Sequence, residues 1–321
     1  MDWNEKRQLV KVSSLYYKDG WTQAEIAKKI GVSRPVISKL LQKAKDEGIV
    51  NIYIKDESVR TVELEQQLEK HFGLSDAIVV PNNGLTSEMS KRAIGQAGAG
   101  YISQNMREVK GIGISWGSTL SYLIQEYPFE RREDIKVVPL EGGMGVKNVE
   151  IHANQLANEF AKKINGHCTY LYAPAIVESE ELKERLMEMQ DIETVLESGR
   201  NVDIAIIGIG NPFKDSTLMK IGYLKETDLS HLNKMGVVGD IGFRFFDKQG
   251  NQINDSINNR VIGISLEELK KIKKVIAVVE GDHKAESVLG ALRGQFINVL
   301  IIDEQTAGVV LKLNENYFIN T

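Results

Sequence analysis

The sequence predicts a two-part α/β protein. A small winged helix-turn-helix head is expected over residues 1–56, a helical linker over 57–75, and a larger, mostly parallel, Rossmann-like α/β body over 76–321. Three observations lead to this prediction. The chain of 321 residues exceeds one ordinary domain. Two short helix patterns separated by a glycine turn stand near its start. Further along, apolar strand-like runs alternate with amphipathic helical stretches.

Composition restricts the class of protein. Hydrophobic residues make up 42% of the chain and charged residues 26%, as in soluble globular proteins. No apolar run is long enough to span a bilayer and the N-terminus lacks a secretory apolar core, so we expect a cytoplasmic protein without membrane contact. A single cysteine, Cys168, and five scattered histidines favour neither a disulfide nor a metal site. No cofactor is expected.

Charge is distributed unevenly along the chain. Residues 1–56 carry 11 basic and 7 acidic side chains, whereas the remaining residues carry 29 basic and 37 acidic ones. A basic head on an acidic body is typical of a DNA-binding module attached to another domain, although so small a surplus also arises by chance. The charge distribution therefore supports DNA binding without establishing it.

A helix-turn-helix pattern lies near the N-terminus. Residues 21–50 read WTQAEIAKKIGVSRPVISKLLQKAKDEGIV, in which Thr22 can cap a first helix and Glu25, three residues on, completes a capping box. Gly31 supplies the left-handed residue that commonly ends a helix. The first helix is therefore expected to end at this glycine.

The second helix of the pattern, expected over 34–45, is amphipathic. Ser33 is placed to cap it, and Pro35 falls in its first turn, where a missing N–H does no harm. Its apolar positions recur at helical spacing and are expected to pack inward: Val36, Ile37, Leu40, Leu41 and Ala44. An upstream helix over 5–18 would complete a three-helix core, and residues 49–54 alternate like the first strand of a wing.

The exposed face of the second helix is cationic and suits a DNA groove. In a helix-turn-helix the N-terminal part of this helix enters the major groove, so Arg34 can read a guanine edge while Lys39 and Lys43 contact phosphates. The candidate DNA contacts are Thr22, Ser33, Arg34, Pro35, Ser38, Lys39, Gln42 and Lys43. A generic helical hairpin has similar helix caps and apolar stripes. Their combination with the small Ala27, the turn glycine Gly31 and an exposed cationic face favours DNA binding.

The linker has two interpretations. SVRTVELEQQLEKHFG, residues 58–73, predicts an amphipathic helix with Leu64, Leu68 and Phe72 four apart on one face. Such a helix can pair two subunits and place two heads on a two-fold DNA site. It can equally pack on its own domain.

The body shows the alternation of strands and helices that a covered parallel sheet requires. The expected strands are 77–81, 111–115, 136–140, 168–174, 202–210, 242–247, 275–281 and 299–303. The expected helices between them are 86–106, 149–164, 179–190 and 284–294. Because ligands of open α/β sheets bind beyond the carboxyl ends of strands, the residues that follow each strand are the candidate site.

The turn Ser115–Thr119 resembles a phosphate cradle. In GIGISWGSTL a buried strand leads into glycine and hydroxyl residues and then a helix, whose N-terminus favours an anion. The glycine spacing is not that of a dinucleotide fingerprint, and no Gly-Lys-Ser/Thr of a nucleotide P-loop follows. Alone, such a turn is more often only a turn.

Further small-residue turns follow other strands and strengthen the prediction of one pocket. Asp240 can accept hydrogen bonds from sugar hydroxyls, and Lys284 can meet a phosphate at the start of a helix. Judged singly, Asp240 can equally cap a turn and Lys284 can be a solvated lysine. The predicted ligand contacts are Ser115, Trp116, Gly117, Ser118, Thr119, Glu141, Gly142, Gly143, Gly210, Asp240, Gly281 and Lys284.

These motifs together resemble the SorC/DeoR-type sugar-binding transcriptional regulators of bacteria. The resemblance covers nearly the whole chain, from LYYKDGWTQAEIAKKIGVSRPVISKLLQKAKDEGIV through GISWGSTL, LEGGMG, APAIV, IGIGNP and VVGDIGFRFFDKQGN to GALRGQFINVLIIDEQTA. It implies a winged helix-turn-helix and an effector domain with the fold of sugar-phosphate isomerases. Members are typically tetramers that bind operator DNA with an affinity changed by a phosphorylated sugar or related metabolite.

The resemblance also assigns roles at particular positions. It matches the phosphate-contacting turn to Ser115–Thr119, the ligand-contacting acid to Asp240 and a late lysine to Lys284. In one relative, a lysine of a lysine-glycine-glycine turn is held to bind deoxyribose phosphate covalently. Glu141 stands at that position here, so neither a Schiff base nor deoxyribose phosphate is favoured.

Two other functions compete with that of a regulator. The body could be a sugar-phosphate isomerase-like or deaminase-like enzyme with an appended DNA-binding head, in which Glu141 and Asp240 would be the acid-base pair. A fold does not transfer its chemistry, and no convincing acid-base pair stands out, so a non-enzymatic regulator is expected. A metabolite-binding module that acts only through protein partners would leave the cationic helix face unused.

Overall fold

The computed structural model describes residues 3–50, 59–145 and 147–319, with side chains up to residue 316. The chain divides into two compact units, with the boundary between Val59 and Arg60. Within the described residues, no helix is both long and apolar enough to cross a bilayer.

The head is a small helical unit. Its helices are α1 (Trp3–Ser13), which continues into a π-helical turn (Ser14–Lys18), α2 (Gln23–Ile30) and α3 (Arg34–Asp46). The structure confirms the capping box of α2, in which the Glu25 amide donates to Thr22 Oγ1 at 3.3 Å and the Thr22 amide donates to Glu25 Oε2 at 2.8 Å. Gly31 ends α2 with a φ of +79°, as predicted.

Helix α3 differs from the prediction in two details. Ser33 has the extended backbone of a cap residue, but its hydroxyl makes no capping hydrogen bond. Val36 was expected to pack inward and is 40% exposed, because Ile37, Leu41 and Ala44 already fill the inward stripe of the helix. That expectation for Val36 was wrong.

The predicted wing lies largely outside the described residues. Ile49 and Val50 are described and belong to no strand; both amides donate to the Ala44 carbonyl and complete the last turn after α3. The rest of the expected strand, residues 51–54, lies outside the described residues.

The linker helix α4 (Val59–Phe72) packs on the body. Leu68 is completely buried in the body core, and Leu64 and Phe72 pack against the same cluster. Two carboxylates of α4 also reach strand β1 (Asp76–Val80): Glu65 accepts from the Val79 amide at 2.8 Å, and Glu69 accepts from the Ala77 amide at 3.2 Å. The apolar face of α4 therefore packs on its own domain, as one of the two interpretations of the linker predicted.

Seven parallel strands form the central sheet of the body, in the order β1-β9-β8-β5-β2-β3-β4. Their bounds are β2 (Gly111–Ile114), β3 (Lys136–Pro139), β4 (His167–Cys168), β5 (Ile204–Ile207), β8 (Lys274–Val279) and β9 (Val299–Asp303). The inner strands are apolar on both faces, as a parallel sheet covered on both sides requires. One buried cluster lies on each face of this sheet.

Helices of the body cover both faces and connect the strands. They are α5 (Ser87–Gln104), α6 (Ser118–Glu126), α7 (Ala153–Ile164), α8 (Glu180–Met187), α9 (Gln190–Arg200), α10 (Thr217–Lys220), α11 (Glu226–Lys234), α12 (Ser256–Asn259), α13 (Leu266–Leu269), α14 (Ala285–Arg293) and α15 (Glu304–Ile319). Six of these helices, α9 to α13 and α15, were not predicted from the sequence.

Two expected strands differ in the structure. Of the run 168–174 only its first residue belongs to β4, because the chain then leaves the sheet edge. The run 242–247 does not enter the sheet; it forms β7 (Arg244–Asp247), which pairs antiparallel with β6 (Val237–Ile241) in a separate two-stranded hairpin.

Candidate ligand cleft and nucleic-acid interface

A cleft of about 290 Å³ opens where the adjacent strands β2, β5 and β8 end. Each strand delivers one of the turns identified in the sequence, since the carboxyl ends of parallel strands lie at one edge of the sheet. The predicted ligand contacts that line the cleft are Trp116, Gly117, Ser118, Thr119, Gly210, Asp240 and Lys284. The topology therefore brings together residues that are up to 168 positions apart in the chain.

The other predicted contacts lie outside the cleft lining, for identifiable reasons. Gly142 is held against the backbone of the neighbouring segment, where an added Cβ would come within 2.5 Å of the Pro174 carbonyl oxygen. Gly143 pairs with the same segment through its amide, which donates to the Ala173 carbonyl. The Gly281 amide donates to Asp303 at 2.9 Å. Ser115 and Glu141 lie behind the lining and are described below.

The turn before α6 presents unpaired backbone donors. Gly117 has a φ of +146° and caps α6 without any side-chain hydrogen bond. Among the described residues, the amides of Ser118, Thr119 and Leu120 have no acceptor. Such amides at a helix N-terminus, together with the helix dipole, favour a bound anion.

Asp240 reaches the cleft from the β6–β7 hairpin. The hairpin is held beside the sheet by a pair of backbone hydrogen bonds between Asp240 and Gly210. Burial raises the pKa of the Asp240 carboxyl to about 7, although the Phe243 amide and the charge of Lys284 oppose the shift. A buried carboxyl of this kind can both donate to and accept from hydroxyl groups near neutral pH.

Lys284 closes a short 3-10 turn that follows β8. Its side chain is partly buried, and its ammonium has no hydrogen bond or ion pair within the described part of the chain. Burial lowers the pKa of Lys284, while the nearby carboxylates of Glu280 and Asp240 oppose this shift. An unpaired cation directed at the cleft complements the amides of the α6 turn.

Further cleft residues were not among the predicted ligand contacts. Asn211 follows β5 and ties two turns together, because its Oδ1 accepts from the Phe213 and Lys214 amides while its Nδ2 donates to the His283 carbonyl at 2.6 Å. It ends the turn of residues 208–211, one of the small-residue turns that the sequence places after a strand. Lys91 on α5 also lines the cleft, and no local sequence feature marks it.

Two buried ionisable residues lie behind the cleft. Glu141 is 3% exposed, and burial raises its pKa to about 8. Arg244 is also buried and donates to four backbone carbonyls, those of Asn258, Val261, Gly263 and Ile264. Burial lowers the pKa of Arg244 to about 10, and the charges of Glu268 and Glu141 oppose that shift.

In the head, the predicted DNA contacts divide into two groups. Those on the exposed N-terminal face of α3 are Ser33, Arg34, Pro35, Ser38 and Lys39. The others already have partners within the head. Thr22 forms the capping box, Gln42 donates to Asp46, and Lys43 is ion-paired with Glu5 on α1. The unpaired cations of the exposed face are therefore Arg34 and Lys39, within the described residues.

Comparisons with known proteins agree with this architecture. A family model described as "Putative sugar-binding domain" matches residues 56–312. The deoxyribonucleoside regulator of Bacillus subtilis is 33% identical over 309 residues, which cover 94% of this chain and 97% of the relative.

Solved structures extend the likeness to the whole chain. The full-length sorbitol operon regulator SorC from Klebsiella pneumoniae matches with a TM-score of 0.76 at 30% identity, covering 96% of this chain and 99% of that one. A DeoR family transcriptional regulator from Listeria monocytogenes matches with a TM-score of 0.73 at 40% identity, covering 78% and 99%. The relatives are regulators and not isomerases or deaminases. The chain belongs to the SorC/DeoR family of sugar-binding transcriptional regulators, as its motifs predicted.

Proposed function

We propose that this regulator binds operator DNA through α3 and binds a phosphorylated sugar or polyol in the cleft of its body, and that it thereby controls a carbohydrate or polyol operon. The observation that carries the proposal is the juxtaposition, in one cleft, of unpaired amides at the start of α6 with the unpaired Lys284 and the buried Asp240. The names of the sorbitol operon and deoxyribonucleoside regulators support a ligand of this class.

A phosphate ester fits this arrangement of donors. The amides of Ser118 and Thr119 and the Ser118 hydroxyl would donate to phosphate oxygens, and Lys284 would supply positive charge. Asp240, on the facing hairpin, would bind hydroxyl groups of the carbon chain. The ligand is held non-covalently in this proposal.

We infer a homo-oligomer, since two reading heads on a two-fold DNA site need at least a dimer, and we propose a dimer of dimers, the assembly that the family resemblance implies. Closure of the cleft on its ligand would change the arrangement of subunits and so the spacing of the heads. The ligand can bias DNA affinity only as far as it binds the two arrangements with different affinity.

A thermal-shift panel tests the ligand. The purified protein is screened against sugar and polyol phosphates beside their unphosphorylated forms, because a ligand of the folded state raises the melting temperature. We expect a selective response to one phosphorylated compound. Ser118→Ala should weaken its binding by about 0.5–1.5 kcal/mol and Lys284→Ala by about 1.5–3 kcal/mol, the range of neutral and charge-assisted hydrogen bonds.

Two substitutions outside the cleft serve as controls for this panel. Ser230→Ala on α11 and Lys271→Ala change exposed side chains of the same types and should leave the response intact. A response to free sugars alone, unaffected by Ser118→Ala and Lys284→Ala, would refute the phosphate site.

DNA recognition is tested with duplexes selected from a random library by the full-length protein. Arg34→Ala and Lys39→Ala are expected to weaken binding by about 1–3 kcal/mol each and to reduce the salt dependence of affinity, since each removes a base or phosphate contact. Lys271→Ala in the body removes the same charge and should have no effect. Equal affinities of all three variants would show that α3 is not the DNA-reading surface, and failure of the protein to select any duplex would favour a regulator that acts through protein partners.

A further inference from the structure

Glu141 connects the two walls of the cleft from behind. It follows β3, is 3% exposed and does not line the cleft. One of its carboxylate oxygens faces the turn that leads into α6, and the other faces the tip of the β6–β7 hairpin. These two contacts make it more than a core residue.

The first contact fixes the start of the α6 turn. Glu141 Oε1 accepts from the Ser115 hydroxyl at 2.9 Å and from the Trp116 amide at 2.7 Å. Both donors are buried, and losing their acceptor would leave polar groups unsatisfied. The orientation of the next residues, Gly117 to Thr119, depends on where this amide is held.

The second contact reaches the hairpin that carries Asp240. Gly242 approaches so closely that an added Cβ would lie 3.3 Å from Glu141 Oε2, and it has a φ of +53°. The neighbouring Phe243 stacks on Trp116 with ring centroids 5.0 Å apart and 9° between planes. The tip of the hairpin thus rests on both Glu141 and the residue that Glu141 holds.

Arg244 on that hairpin binds the same segment as Glu141. It donates to the backbone carbonyls of Asn258, Gly263 and Ile264, and the negative charges of Glu268 and of ionised Glu141 favour its protonated form. The backbone bridge between Glu141 and Gly263 places the carboxylate on the segment that Arg244 binds. The carboxylate, the hairpin and the α6 turn therefore form one buried unit.

We propose that Glu141 is a positioning residue, which sets the distance between the anion-binding turn and Asp240 and so controls ligand affinity without touching the ligand. This inference rests on the proposed function, in which the ligand occupies this cleft. It differs from the sequence prediction, which made Glu141 a direct contact.

Two substitutions at Glu141 in the full-length protein test the proposal. Glu141→Gln keeps an acceptor for Ser115 and Trp116, whereas Glu141→Leu has a similar size and no acceptor. The readouts are amide hydrogen exchange at Trp116, which needs no ligand, and binding of inorganic phosphate by calorimetry. Ser115→Ala removes one of the two donors to Glu141 and replaces the leucine variant in the test if that variant does not fold. Ser90→Ala is its control, because the buried Ser90 hydroxyl has no partner among the described residues.

We expect Glu141→Leu to speed exchange of the Trp116 amide and to weaken phosphate binding, each by about tenfold or more, because a buried hydrogen bond to the amide is lost. Glu141→Gln should stay within about threefold of the wild type in both. Ser115→Ala should weaken phosphate binding by about threefold or more, and Ser90→Ala should not.

Unchanged exchange in Glu141→Leu would overturn the positioning role, and rapid exchange with unchanged phosphate affinity would overturn its effect on the ligand. If the leucine variant does not fold, an unchanged affinity of Ser115→Ala for phosphate would overturn the effect of Glu141 on the ligand. Failure of the wild-type protein to bind phosphate or any sugar phosphate contradicts the proposed function instead, and the exchange data then judge the positioning role alone.

Discussion

At the scale of single residues, the body buries two carboxyl groups at and behind the cleft. Glu141 and Asp240 are both buried, and the burial raises the pKa of each carboxyl toward neutrality. The position of Glu141 just after β3 could be predicted from the sequence, whereas Asp240 lies within β6 and not at the end of a strand of the central sheet. The burial of both residues could not be predicted, because it depends on a hairpin that returns from a distant part of the chain.

Replacing Glu141 by Gln is expected to stabilise the protein at alkaline pH relative to acidic pH. The folded-state pKa of about 8 exceeds the ordinary value of 4.5, so the folded protein retains a proton that the unfolded chain releases. The contribution of Glu141 to stability therefore falls as the pH rises from about 4.5 to about 8. Between pH 5 and pH 9, we expect the free energy of unfolding of the variant to rise relative to that of the wild type by at least about 1 kcal/mol, the equivalent of roughly one pKa unit.

Unfolding by denaturant at pH 5, 7 and 9 measures this difference. Glu184→Gln on the exposed face of α8 is the matched control and should show no pH-dependent gain. A difference between Glu141→Gln and the wild type that is constant over this range would mean that Glu141 ionises normally.

At the scale of elements, the two helices of the turn motif differ in how they begin. Thr22 makes both hydrogen bonds of a capping box, whereas Ser33 occupies the cap of α3 without a side-chain bond. We expect Thr22→Ala to destabilise α2 by about 1 kcal/mol and Ser33→Ala to cost a few tenths at most. Hydrogen exchange of amides in α2 and α3 measures both effects, and equal losses in the two variants would contradict the difference between the caps.

Helices and strands could be predicted from the sequence where the pattern that specifies them is confined to a few neighbouring residues. Strands β5, β8 and β9 are short apolar runs that a covered parallel sheet requires, and each was predicted within a few residues. The β6–β7 hairpin was missed because its turn lacks the usual asparagine or aspartate before glycine. Gly242 and Phe243 form that turn instead, and Phe243 has a φ of +67°, which no local rule assigns to phenylalanine.

The residues of the cleft also divide into those that a local pattern identifies and those that only tertiary packing brings there. Residues that directly follow strands, such as Ser118 and Lys284, were predicted because parallel topology gathers strand ends. Lys91 lies on α5 and reaches the cleft only through helix packing, which the sequence does not display. The pairing of Lys43 with Glu5 was missed for the same reason, since the two residues are far apart in sequence.

At the scale of the whole molecule, the chain consists of two units that are expected to respond separately to a ligand of the body. A ligand bound only in the cleft stabilises the unit that contains it by mass action. We expect a saturating phosphorylated ligand to slow hydrogen exchange in the core strands β5 and β8 while leaving exchange within α2 and the inner face of α3 unchanged. Equal protection of both units would mean that the head also binds the ligand or unfolds together with the body.

The carboxylates of Glu65 and Glu69 have one more consequence, for self-association. Strand β1 is an outer strand of the sheet, and an uncovered outer strand offers backbone amides to which another chain can add. Here the outward amides of Ala77 and Val79 already donate to these carboxylates. An incoming strand would have to displace α4 before it could pair, so this border of the sheet resists amyloid-like growth for as long as the linker helix stays docked.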